Sequence, residues 1–145
     1  MLFTSISLSK INPDGDERST GRNPACLNNI GLVYKLLGKS KEAKSVFIKA
    51  IVQDKNLADA HNNLGGIYHE EGLIEDAEAA YKNALKINPD YSNAYRNLGI
   101  LSEHRGANKE AEFYYKKVIE LNGSDAYCYN QLGNLSKERG NFNKA

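Results

Sequence analysis

Residues 61–89 read HNNLGGIYHEEGLIEDAEAAYKNALKINP. Leu64, Gly65 and Tyr68 lie on one helical stripe at i, i+1, i+4, and Ala77, Tyr81 and Ala84 form a second at i, i+4, i+7. Gly72 separates the two stripes and predicts a helix end, because a left-handed residue costs glycine least. The stretch therefore reads as two amphipathic helices joined by a tight turn. Shifting the chain by 34 residues aligns Gly31, Gly65, Gly99 and Gly133, and a second ladder follows at Gly38, Gly72, Gly106 and Gly140. Ala43, Ala77, Ala111 and Ala145 form a third, and Phe47, Tyr81 and Tyr115 an aromatic one. With 12 Gly in 145 residues, three further Gly in register arise by chance less than about once in a thousand trials. The helix pair is therefore the unit of a repeat array.

Small residues recur where two helix backbones must approach closely, so Gly65 and Ala77, Ala84 predict the contact within a pair. The larger Leu, Tyr and Phe at the other ladder positions are expected to fill the gap to the next pair. First helices are expected over about 24–37, 58–71, 92–105 and 126–139, and second helices over about 41–54, 74–88 and 109–122.

This 34-residue pattern resembles the tetratricopeptide repeat. The first unit carries Leu27, Ile30, Gly31, Tyr34, Ala43, Phe47 and Ala50 at the signature positions and departs at Lys55, where proline is usual. The second departs only at His61, and the third at Ser102, Val118 and Gly123. The resemblance implies an all-α fold, a right-handed α-solenoid of stacked antiparallel helix pairs. Units are expected at residues 24–57, 58–91 and 92–125, with an incomplete fourth at 126–145. Residues 1–23 read as the remnant of a preceding helix and a polar loop, because KINPD at 10–14 repeats the KINPD at 86–90 that closes the second unit. Both ends read as cut, and we expect a fragment of a longer protein.

Composition narrows the function. A net charge of +1, with 19 basic against 18 acidic residues, gives no field that would draw the chain to nucleic acid or an anionic membrane. The apolar start MLFTSISL is too short to span a bilayer. Cys26 and Cys128 occupy one repeat position three units apart, too far for a disulfide, and are expected as buried, reduced thiols in a cytoplasmic protein.

By the resemblance, first helices line a concave face through repeat positions 2, 5, 6, 9, 12 and 13. Eight of those 24 residues are Asn against 17 in 145 overall, so the face is enriched in amides. Its acids and bases nearly balance, which argues against a polyanionic ligand. An Asn amide can pair with both the N–H and the C=O of an extended peptide without reading its side chains. The expected peptide-binding residues are Asn28, Asn29, Asn62, Asn63, Asn93, Arg96, Asn97, Asn130, Gln131 and Asn134, with Tyr127 as an exposed anchor. The row Asn29, Asn63, Asn97, Gln131 is similar to the asparagine ladder of the O-linked N-acetylglucosamine transferase superhelix. Family members that clamp a C-terminal carboxylate need lysines and an arginine where this chain has Ala25, Asn93 and Asn97, so that clamp is mostly absent.

Catalytic chemistry is not indicated. His61 falls at a core position; His69 and His104 lie on the groove side without a metal-ligand motif, so neither a metal nor a cofactor is expected. The glycines fit no phosphate-binding or nucleophile motif. The sequence thus predicts a non-catalytic interaction module for an extended protein segment. Two other readings stand beside it: the substrate-guiding arm of a larger glycosyltransferase or other transferase, and a self-association module through uncapped ends exposing residues such as Phe142.

Overall fold

The computed structural model describes residues 23–142, with side chains as far as Gly140. The expected remnant helix at 1–13, the loop after it and the side chain of Phe142 lie outside the described residues. Those residues form α1 (Pro24–Leu36), α2 (Ser40–Gln53), α3 (Ala58–Glu70), α4 (Ile74–Ile87), α5 (Ser92–His104), α6 (Asn108–Leu121) and α7 (Ala126–Phe142). No strand occurs among them. The fold is all-α, and the chain divides into two compact units at Leu57 and Ala58.

In the first unit α1 packs antiparallel on α2. Asn23 caps α1 by accepting the Ala25 N–H at 2.9 Å, and Pro24 occupies the first turn, where its missing N–H costs nothing. Phe47, Ala43 and Ala50 are fully buried between the helices. A Cβ added to Gly31 would stand 2.4 Å from the Phe47 ring, so only glycine lets the ring lie there. Cys26, expected as a buried thiol, is instead exposed, while Cys128 is buried. Cys26 shares its repeat position with Ala60, Ala94 and Cys128, each 0% exposed, and Cys128 is covered by Ala111, Tyr115 and Val118 of α6. Val33 and Leu37 on the same stripe of α1 are also exposed.

The second unit stacks α3 to α7 as consecutive neighbours, with α3 also touching α5. The ring-on-glycine contact repeats: a Cβ on Gly65 would lie 2.7 Å from Tyr81, and one on Gly99 2.5 Å from Tyr115. The aromatic ladder therefore does more than fill the gap between pairs. Tyr81 sits on the glycine of its own hairpin and also joins Ala77, Leu98 and Leu101 in a core reaching the next hairpin. Tyr115 does the same with Ala111, Val118, Cys128 and Leu135.

Two kinds of turn fix the pairing. Gly38, Gly72 and Gly106 end α1, α3 and α5 at φ of 71°, 76° and 72°, and the next N–H reaches back to Tyr34, Tyr68 and Ser102 carbonyls. At the ends of α2, α4 and α6, Asp54, Asn88 and Asn122 each accept the N–H two residues on through their side chains. These Asx turns explain why Lys55 and Gly123 can stand where proline was expected: the preceding Asp or Asn already holds the turn. On the outer side Glu78 pairs with Lys82 and Arg105, and one repeat later Glu112 pairs with Lys116 and Arg139.

The seven helices follow the expected spans except at the end. The fourth first-helix was to stop near Arg139 at Gly140, but α7 runs through Gly140 to Phe142. Gly140 lacks the positive φ of its three counterparts, and no described helix packs back across α7 there to demand a turn. Tyr129, which holds the signature position that Leu27 holds in the first unit, is 52% exposed for the same reason.

Gly99 and Gly133 hold the same repeat position but differ in surroundings, since nothing lies within 4 Å of a Cβ on Gly133. Gly99→Ala should cost about 1–3 kcal/mol by forcing the buried Tyr115 ring to shift. Gly133→Ala should stabilise by up to about 1 kcal/mol through helix propensity alone. Urea unfolding of both variants measures the pair, and equal effects would refute the ring contact.

Candidate interaction face

The first helices of the hairpins in the second unit, α3, α5 and α7, carry the positions singled out from the sequence. Helical spacing places Asn62, Asn63 and His69 on α3, Asn93, Arg96, Asn97, Glu103 and His104 on α5, and Tyr127, Asn130, Gln131 and Asn134 on α7. Not all are open. Asn62 is buried at 8%, and its Oδ1 accepts the Asn97 side-chain N–H at 2.9 Å. Asn97 and Asn63 are half-buried, while Asn93, Asn130 and Asn134 are exposed. In the first unit Asn28 is buried and Asn29 exposed on α1. Asn28 and Asn62 therefore do not offer open amides as expected. Asn62 meets instead the first helix of the next hairpin, and a buried amide must find such a partner.

Arg96 was expected to face a ligand, but its guanidinium donates to Asp125. Asp125 stands before α7 and also accepts the Cys128 N–H at 3.0 Å, which makes it the N-cap of that helix. Burial alone would push the Asp125 carboxyl up. The hydrogen bonds from the Cys128 N–H and from Arg96 outweigh it and hold the group below the usual carboxylate range. The same burial, with the Asp125 charge, pushes the Cys128 thiol up to about 11, so it stays protonated.

Glu103 is engaged as well. It accepts the Tyr115 hydroxyl from below and the Gln131 amide from α7 at 3.1 Å. Gln131 further donates to the Tyr127 hydroxyl at 3.3 Å and accepts the Asn134 N–H at 3.3 Å. Tyr127, 44% exposed, meets Tyr115 edge-on with ring centres 6.2 Å apart. The buried Tyr115 hydroxyl is raised well above its ordinary range by burial and by its bond to Glu103. On α3, Asp59 accepts the Tyr91 hydroxyl.

His69 and His104 meet across α3 and α5, with Nε2 of the first 2.9 Å from Nδ1 of the second. Burial, then the neighbouring His104, lowers the His69 pKa, and Glu70 opposes that. Among the described residues no three His, Cys, Asp or Glu gather as a metal site, and no helix is long and apolar enough to cross a membrane. Asp125 and the Tyr115 hydroxyl were not singled out from the sequence, and Glu103 entered only as one of the face's acids. Asp125 had a local signal, an acidic residue just before a helix start; the Glu103 and Tyr115 pairing had none.

Models of the tetratricopeptide repeat match residues 24–56, 56–124 and 114–145. Comparison with curated proteins finds no match. Among solved structures, the first such domain of Spaghetti (RPAP3), bound to the HSP90 peptide SRMEEVD, is similar at 23% identity and TM-score 0.77, over 83% of this chain and 95% of that one. MamA is similar at 25% identity and TM-score 0.75, over 82% of this chain and 70% of its own. The Sgt2 domain from Aspergillus fumigatus is similar at 20% identity and TM-score 0.75, over 84% and 82% of the two chains.

Asp125→Asn keeps a capping oxygen but removes the charge facing Arg96. At pH 7 the variant should be less stable by about 1–3 kcal/mol. Because the folded Asp125 pKa lies below its ordinary 3.8, the parent's advantage is complete above that value and disappears as pH falls through the folded pKa. Urea unfolding of both proteins from pH 7 to pH 2 checks this. A gap that stayed constant into acid would contradict the ion pair.

Proposed function

The chain belongs to the tetratricopeptide repeat family, and from that premise we propose that it is a protein-interaction module whose α3/α5/α7 face holds an extended peptide segment through side-chain amides. The observation that carries the proposal is that charged side chains on this face are already engaged by neighbours within the chain. Arg96 is spent on Asp125, Asp59 on Tyr91, and Glu103 on Tyr115 and Gln131. A peptide arriving there meets amide groups, with Asn93, Asn130 and Asn134 exposed and the Asn97 Oδ1 directed away from its own bonded N–H. Amides suit the main chain of any extended sequence. Tyr127 adds a rigid aromatic contact at low entropic cost.

The Spaghetti domain is similar in fold and holds an acidic-tailed peptide. This chain has Ala25, Asn93 and Asn97 at the positions where the carboxylate clamp needs cations, so the proposed ligand is recognised by its backbone and not by its terminal charge. No turnover is assigned to this segment. The same face would serve equally as the guiding arm of a larger transferase, and the exposed Cys26 thiol suits a reducing cytoplasm.

Selection from a display library of random peptides, followed by titration of the retained sequences, tests the proposal. Affinity should change less than about threefold between 50 and 500 mM salt, because few ion pairs form on binding. Asn97→Ala should weaken binding about fivefold, the worth of roughly one net hydrogen bond. SRMEEVD should bind no better than its scrambled form. Preference for acidic tails with steep salt dependence, or a library that yields no binder, would overturn the reading.

A further inference from the structure

One feature of this face is not explained by peptide binding. His69 lies in the last turn of α3 and His104 ends α5, and their facing nitrogens lie 2.9 Å apart with ring centres at 5.0 Å. The two residues are 35 apart in sequence, one more than the repeat, so the pairing comes from adjacent helices and not from equivalent positions. His69 is half-buried and His104 exposed, which leaves solvent access to the space between the rings.

Two imidazole nitrogens bound to one cation at 2.0–2.1 Å stand about 2.9 Å apart when the angle at the metal is a right angle, and about 3.3 Å when it is tetrahedral. The observed separation fits the first. We propose that His69 and His104 form a two-imidazole site for a late first-row divalent cation of right-angled coordination, Ni2+ or Cu2+, with water filling the remaining positions.

Binding requires both facing nitrogens to be unprotonated. In the metal-free pair one of them carries the shared hydrogen; on binding, that ring changes tautomer and the proton moves through water to its remote nitrogen, Nδ1 of His69 or Nε2 of His104. No proton is lost and no redox step occurs. The two rings re-aim their lone pairs at one point by small side-chain rotations. The metal would thereby clip α3 to α5, adding to the Asn62–Asn97 hydrogen bond and to the packing of Tyr68 against the cluster of Leu98 and Leu101. The inference is independent of the peptide reading, since it rests on two imidazoles and not on the amides.

The test is calorimetric titration of the 145-residue chain with Ni2+ in a Cys26→Ser background, which removes the exposed thiol as a competing ligand. One Ni2+ per chain is expected. His69→Gln and His104→Gln should each weaken binding at least tenfold, and the double variant no further than either single one. His61→Gln should leave affinity unchanged. Saturating Ni2+ should raise the melting temperature of the parent and not of the two single variants. With Cu2+, the electron paramagnetic resonance spectrum should carry hyperfine structure from two imidazole nitrogens. Loss of less than twofold in either single variant, an equal loss in His61→Gln, or a one-nitrogen spectrum would overturn the site. Circular dichroism of each variant separates these outcomes from misfolding.

Discussion

An aromatic ring pressed against bare helix backbone is the contact from which the rest of each hairpin follows. Phe47, Tyr81 and Tyr115 each occupy the space that a single methyl group on Gly31, Gly65 or Gly99 would fill. Bringing the two helix axes this close is what buries Ala43 and Ala50, Ala77 and Ala84, and Ala111 beside them, and every one of these alanines has no exposed surface. Dispersion accumulates over many such contacts and falls steeply with a gap of a fraction of an ångström. The ring also sets a limit on the second helix: once it is seated, the rotation of that helix about its axis is fixed, and with it the residues presented to the following hairpin.

The tyrosines extend this constraint to the interaction face. Tyr115 is buried in the hairpin by its ring, yet its hydroxyl emerges to meet Glu103, which in turn orients Gln131 on the next first-helix. A core residue thus positions a surface amide. Arg96 and Asp125 make a comparable link between α5 and the cap of α7. The face is organised less as a row of independent side chains than as a set of pairs that cross from one repeat to the next.

Those pairs mark the boundary of what could be read from the sequence. Ladders of Gly, Ala and aromatic residues are strict because a helix pair tolerates no substitute volume, so the all-α hairpins and their spans were legible to within a residue or two. The Asx turns at Asp54, Asn88 and Asn122 had no distinct signal in the sequence, because Asp and Asn are common in loops whether or not their side chains close a turn. Burial of Asn62, exposure of Cys26 and Tyr129, and the extension of α7 depend on which neighbour covers each helix, a property absent from any single repeat. The His69 and His104 contact was beyond reach for another reason. It joins unequal repeat positions, and a periodic reading compares equal ones.

Contacts in the second unit run from each helix to its immediate neighbours and, across one intervening helix, from α3 to α5 and through Glu103 and Gln131 from α5 to α7. A structure wired in this way has no long-range tie to break when its ends are drawn apart. Tension on α3 and α7 would be shared as small rotations at successive hairpin boundaries, each resisted by the Leu98 and Leu101 or the Cys128 and Leu135 packing and by the outer Arg105 and Arg139 ion pairs. Under such a load the unit would yield elastically. Its stiffness softens in concentrated salt, which screens the arginines on the outside and leaves the rings on the glycines untouched.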